Sequence, residues 1–123
     1  MNIKKVFSFL AVILVTAFLC FAVFALLLRP QALEIGTVDL NTVADGEYIG
    51  VCQNKILIAV VKVRVQNHEI MDIEVLEHKA SYMGQAERIA GEVCAEQTLE
   101  VDAISGATFT SDTVLKAIEN AFK

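Results

Sequence analysis

The spacing of apolar and polar positions divides the chain into three regimes. Residues 6–28, VFSFLAVILVTAFLCFAVFALLL, run for 23 positions without a charge. A bilayer core of about 30 Å takes roughly 20 apolar residues in a helix, so this run is long enough to span with some tilt. Lys4 and Lys5 precede it and only Arg29 follows closely. Because positive charge stays on the cytoplasmic side, the expected orientation is N-terminus inside and residues 30–123 outside. A cleaved signal peptide is the alternative. Its apolar core runs about 7–15 residues and ends in small ones, whereas here Val23-Phe24-Ala25 is followed by more leucine. A retained membrane anchor over residues 1–29 is expected, and both readings place the rest of the chain outside the cytoplasm.

Beyond a short link, residues 30–44, the period falls to two. Asp45-Gly46 is a turn signal opening a domain over residues 45–123. Residues 47–52 read as a short strand. In residues 56–66, Ala59, Val61, Val63 and Val65 alternate with Val60, Lys62, Arg64 and Gln66, a strand with one dry face. Asn67-His68-Glu69 is a polar turn. Residues 70–77 return with Ile73 and Val75 on one face and Asp72 and Glu74 on the other, completing a hairpin.

The third regime is helical. Ala86, Ile89, Ala90, Val93 and Gln97 recur at spacings of three and four. Gly84 marks the start of this helix, and Gly91 weakens its middle. Residues 99–101 read as a brief strand. A last helix is expected over residues 112–122, buried through Val114, Leu115, Ile118 and Phe122, with Thr110 or Ser111 as its cap and Asp112 in its first turn. These elements predict an α+β fold, a small antiparallel sheet packed with helices and preceded by one transmembrane helix.

Charge and cysteine content narrow the chemistry. After Pro30 there are seven Lys or Arg against all fifteen Asp or Glu, a net charge of −8. Nucleic-acid phosphates need cationic partners, so nucleic acid is excluded. Cys20 lies in the apolar run, with Leu19 too bulky beside it for a lipid-attachment site. Cys52 and Cys94 are either a disulfide in an oxidising exterior or two core thiols. With no CxxC pair, no zinc or iron–sulfur site is expected.

The candidate chemistry is in residues 102–111, DAISGATFTS. Four hydroxyls, one carboxylate and one glycine precede the last helix. Gly106 permits a tight turn or a close approach. A helix N-terminus beside hydroxyls favours an anion, phosphate above all. An ordinary capped loop accounts for Thr110 and Ser111 but not for Ser105 and Thr108. A serine hydrolase would need a G-x-S-x-G elbow and a partnered histidine. Ser105 has no such elbow, and the two histidines, His68 and His78, are a turn residue and a residue just past a strand. A Walker A loop is absent.

Asp102-Ala103-Ile104-Ser105-Gly106-Ala107-Thr108 resembles the flavinylation motif D-x-x-[ST]-G-A-[TS] of the FMN-binding domain family. That family includes flavin-carrying subunits of the sodium-pumping NADH:quinone reductase and of Rnf-type reductases. The similarity extends to DGEYIG at Asp45, EVLEHKA at the hairpin end, and AEQTLEVDAISGATFTSDTVLKAI. The resemblance implies FMN held by a phosphoester to Thr108, attached by a separate flavin transferase that takes FAD as donor with a divalent metal. It further implies that Asp102, Ser105, Gly106 and Ala107 serve recognition and positioning, with Thr110 and Ser111 near the phosphate.

Many members of the family carry a Pro-Gly-x-Gly turn after the hairpin that helps hold the flavin ring. Here the corresponding residues are Ala80-Ser81-Tyr82-Met83-Gly84, with one glycine and no proline. Tyr82 and Met83 are therefore either ring contacts or core residues, and His78 is either a ligand contact or structural. The expected role is an extracytoplasmic electron relay, kept by the anchor beside membrane electron-transfer proteins or a quinone-linked complex; with no nicotinamide-binding signature, direct oxidation of NADH by this chain alone is not expected. A covalent tether would keep the flavin from loss to bulk, and the flavin would carry the redox chemistry. The acidic domain would disfavour the charge of a reduced flavin, within the screening length of about 8–10 Å. A module holding FMN without a covalent bond, a sensor, or a domain whose motif has lost its flavin are the alternatives.

Overall fold

The computed structural model describes residues 2–30, 32–104 and 106–123. The first element, α1, is a helix over Ile3–Leu28, capped by Asn2, whose side chain accepts the Lys4 amide at 3.2 Å. At 1.5 Å per residue it is about 39 Å long, more than the bilayer core requires. None of its residues is buried against the rest of the chain. Its Thr16 hydroxyl donates to the Val12 carbonyl at 2.8 Å within the same helix. The helix is long and apolar enough to cross a membrane, which suggests single-pass anchoring.

A three-stranded antiparallel meander follows: β1 (Gly46–Asn54), β2 (Leu57–Gln66) and β3 (Glu69–Glu77), with β2 in the centre. The period-two reading of β2 holds. Leu57, Ala59, Val61, Val63 and Val65 are buried, while Arg64 and Gln66 are exposed. The β2–β3 turn is made by Asn67 and His68, both at positive φ (53° and 60°), the conformation that matches the twist of a two-residue hairpin. Register shifts on β3 set Met71 and Leu76 outside the ladder, and both are exposed.

Two helices, α2 (Met83–Glu96) and α3 (Thr108–Ala121), cover the apolar face of the sheet. The α2 stripe is Ala86, Ile89, Ala90 and Val93, as its spacing predicts. Gln97 is not part of that stripe. It is the C-cap, at φ 57°, and its side chain acts as a short extra strand: Oε1 accepts the Ile70 amide at 2.7 Å, and Nε2 donates to the carbonyls of Ile70 and Cys94 at 2.8 and 2.6 Å. Gln97→Ala strands an amide and a carbonyl of β3. It is expected to cost about 1–3 kcal/mol, read as a lower urea midpoint with faster exchange of the Ile70 amide.

Two further expectations are corrected. Residues 99–101 form no strand: Leu99 is buried, but the described sheet pairs only β1, β2 and β3. The last helix begins at Thr108, a full turn before Asp112, and its cap position is Ala107 with no side-chain cap. Thr110 and Ser111 cannot cap it because they lie inside its first turn with their hydroxyls engaged elsewhere. Cys52 and Cys94 are free thiols. Burial raises the pKa of Cys52, partly opposed by Lys116, and the Cys94 thiol lies on the carbonyls of Ile70 and Met71.

The segment between α1 and β1 is a strap along α3. The Leu33 amide donates to Asp112 Oδ2 at 3.2 Å, Lys116 Nζ donates to the Glu34 carbonyl at 3.3 Å, and Gly36 lies against Glu119. Leu33, Ile35, Val38, Leu40 and Val43 pack on the core. The strap ends beside the β2–β3 turn, where the His68 Nδ1 faces the carbonyls of Leu40 and Val43 at 3.1 and 3.2 Å.

Candidate functional site

Loop residues 102–107 return from α2 to the start of α3, and a tight turn closes them. The Ala107 amide donates to the Ile104 carbonyl at 2.9 Å, with Gly106 at φ 78° in the third turn position. A Cβ at Gly106 would meet nothing within 4 Å, so glycine is needed there for its backbone conformation and not for space. Ser111 pins the turn from below. Its fully buried hydroxyl accepts the Ile104 amide at 2.9 Å and donates to the Ala107 carbonyl at 2.8 Å.

Thr110 is buried as well and faces His78. The His78 Nδ1 lies 2.9 Å from the Ile58 carbonyl, which can only accept, so Nδ1 carries the proton. Nε2 is then the acceptor for the Thr110 hydroxyl at 3.3 Å. Desolvation pushes the His78 pKa below its ordinary 6.5, against the pull of the Ile58 carbonyl. His78 thus ties the end of the sheet to the first turn of α3. A lowered folded-state pKa means that the unfolded chain binds the proton more readily. The His78 contribution to stability is complete above pH 6.5 and is lost as pH falls through the lower folded value. Thermal melts from pH 7.5 downwards are expected to show this loss, and His78→Gln, which can still donate to Ile58, is expected to flatten it. Glu119, held low chiefly by its hydrogen bond from Lys116 at 2.8 Å, acts in a separate window below pH 4.5.

Among the described hydroxyls of this region, Thr110 and Ser111 are buried and Thr108 is exposed. It is the first residue of α3, at the mouth of a hollow of about 200 Å³ lined by Pro30, Ile56, Leu57, Lys79, Tyr82 and residues 106–110. The first intrahelical backbone bond of α3 runs from the Ser111 amide to the Ala107 carbonyl. Among the described residues, the amides of Thr108, Phe109 and Thr110 have no acceptor within the helix, and a helix N-terminus of this kind favours an anion. The Lys79 ammonium lies 5.7 Å from the centre of the Tyr82 ring, and the Arg29 guanidinium lies 5.5 Å from that of Phe109.

The remaining sequence candidates fall in different places. Tyr82 lines the hollow and is 36% exposed. Met83 is half-buried at the start of α2. Asp102 opens on a separate hollow with Arg88, Glu92, Glu96 and Glu100. Ser105 lies outside the described residues. Among the described residues no cluster of His, Cys, Asp and Glu suited to a metal ion is found. Sequence reasoning missed Lys79, Phe109 and the Ile56–Leu57 corner. They reach the site because three chain reversals meet there, and nothing local in the sequence marks which turns will meet.

The model of the FMN-binding domain matches residues 58–123, from β2 to the end of the chain. The chain belongs to the FMN-binding domain family. No curated protein matches it. The matched region contains β2, β3, α2, α3 and the whole turn at residues 104–107, while β1, the strap and α1 precede it. The hollow has three features that suit a flavin nucleotide: a helix N-terminus, an exposed hydroxyl at it, and an apolar edge at Ile56 and Tyr82. The hollow is smaller than the about 300–1,000 Å³ of sites that enclose a drug-sized ligand. A hollow of this size would admit part of a nucleotide rather than enclose all of it.

Proposed function

We propose that this FMN-binding domain is a membrane-anchored, extracytoplasmic electron carrier with FMN esterified to Thr108. The observation that carries the reading is the split among the loop hydroxyls. Thr110 and Ser111 are buried and hydrogen-bonded, whereas Thr108 is exposed at a helix N-terminus above a hollow.

In the attachment, the Thr108 hydroxyl oxygen attacks the flavin-side phosphorus of FAD. A new P–O bond forms, the pyrophosphate P–O bond breaks, AMP leaves, and the hydroxyl proton passes to solvent. A separate transferase with a divalent metal is the catalyst. The α3 amides stabilise charge on the phosphate through their dipoles, with the Lys79 ammonium on the wall of the same hollow. Ser111 and the turn at Gly106 hold Thr108 in place. The bound flavin supplies the redox chemistry. The chain contributes the tether, the positioning and the anchor that keeps the carrier beside membrane electron-transfer partners or a quinone-linked complex.

The test is intact-mass spectrometry of the full chain after co-expression with a competent transferase. The expected result is a mass increase of one FMN less one water, retained after denaturation and located on the peptide containing Thr108. Yellow colour that is lost on denaturation would instead establish non-covalent binding.

A further inference from the structure

The chain reverses direction three times at one end of the domain. These reversals are the β1–β2 turn at Lys55-Ile56, the β3–α2 junction at Lys79–Tyr82, and the turn before Thr108. The strap leaves this end at Leu33, beside Asp112, and follows α3 towards Glu119 and the distal β2–β3 turn. All three reversals therefore meet where α1 ends. Pro30 lines the Thr108 hollow, and Arg29 stacks on Phe109. Ile56 shares a second hollow, of about 700 Å³, with Phe21, Phe24, Ala25, Leu28 and Arg29 from the last turns of α1. If α1 spans, Ala25 lies about 6 Å deeper than Arg29, so the tip of the β1–β2 turn is level with the acyl–headgroup boundary.

The chemistry of this end matches that depth. The domain is strongly acidic, yet Arg29, Lys55 and Lys79 gather here, and none of them has an ion-pair partner among the described residues. Of the other cations after Pro30, Arg64 on β2 is also without an ion pair among the described residues, whereas Lys62, Arg88, Lys116 and Lys123 are each paired with a glutamate. The cations surround exposed apolar and aromatic groups, with Ile56 at 59% exposure and Tyr82 at 36%. Unpaired cations around a projecting aliphatic and a tyrosine suit a layer of lipid phosphates above hydrocarbon.

We propose that Lys55, Ile56, Lys79, Tyr82 and Arg29 form a membrane-docking rim that seats the domain on anionic lipid headgroups and holds the Thr108 hollow at the bilayer surface. The occupant is the leaflet into which α1 emerges. A redox partner would then reach the site along the membrane. The inference rests on membrane anchoring by α1 but not on flavinylation, so the unmodified chain tests it independently of the function proposed above.

The chain has no tryptophan, so single reporters are clean. Full-length Ile56→Trp and Met71→Trp are placed in nanodiscs whose lipids are brominated near the carbonyl end of the acyl chains. Met71 is exposed near the opposite end of the sheet. Docked about 5–10 Å into the interface, the reporter at 56 is expected to lose about half its emission in phosphatidylglycerol-rich discs, while that at 71 is unchanged. Adding Lys55→Gln and Lys79→Gln to the Ile56→Trp chain, or using pure phosphatidylcholine, is expected to restore most of the emission, whereas added inorganic phosphate is not. Equal emission from both reporters overturns the proposal. So does quenching at 56 that ignores both lipid charge and the lysine substitutions.

Discussion

Thr108→Ala is expected to abolish covalent flavin while leaving the domain folded. The hydroxyl is exposed and makes no hydrogen bond among the described residues, so its loss should change stability by no more than about 0.5 kcal/mol. Ser111→Ala should do the reverse. It strands the buried Ile104 amide and removes the bond to the Ala107 carbonyl, at a cost of about 1–3 kcal/mol. Its flavin should remain attached wherever the chain still folds. Thr108→Ser keeps the hydroxyl and is expected to retain the adduct. The measurement is intact mass beside a thermal melt for all three variants. A flavin adduct on Thr108→Ala would remove the assignment.

Gly50→Val is expected to prevent folding. Gly50 lies on β1 where α3 crosses closest. A Cβ there would lie on top of the Ala117 carbonyl oxygen and 2.7 Å from the Ala121 amide nitrogen. Both are backbone atoms inside a helix, so no side-chain rotation relieves the clash. The helix is also fixed at both ends, by Asn120 Nδ2 donating to the Val51 carbonyl at 2.9 Å and by the Leu33–Asp112 contact. The penalty should exceed about 4–5 kcal/mol, a large part of what a small domain has. Gly91→Ala is the control. A Cβ there meets nothing within 4 Å, and the helix should gain about 0.5–1 kcal/mol. Limited proteolysis separates the two: Gly50→Val should be cut within the domain under conditions where Gly91→Ala and the parent chain resist. A protease-resistant Gly50→Val would mean that α3 does not approach β1 as closely as described.

The regular elements were readable wherever burial follows a period. Alternation in residues 59–66 marked the central strand because one face is dry and the other wet. Spacings of three and four marked α2 for the same reason. The reading failed where tertiary partners changed what a side chain does. Gln97 continues the helical spacing, yet it caps the helix and bonds the edge of β3. Thr110 and Ser111 have the composition of caps. Their hydroxyls were taken instead by His78 and by the turn at residues 104–107, which let the helix begin a turn earlier.

The sequence by itself determined the apolar first helix, the α+β class, the hairpin of β2 and β3 and the two later helices, because each rests on a period or turn read over neighbouring residues. Only the tertiary structure decided that Thr108 is exposed while Thr110 and Ser111 are buried, that His78 supports Thr110, and that Lys79, Tyr82 and Ile56 share a hollow with Thr108 beside the end of α1. Those facts depend on contacts between residues far apart in the chain, set by how the strap and the three reversals pack, and no local period encodes such contacts.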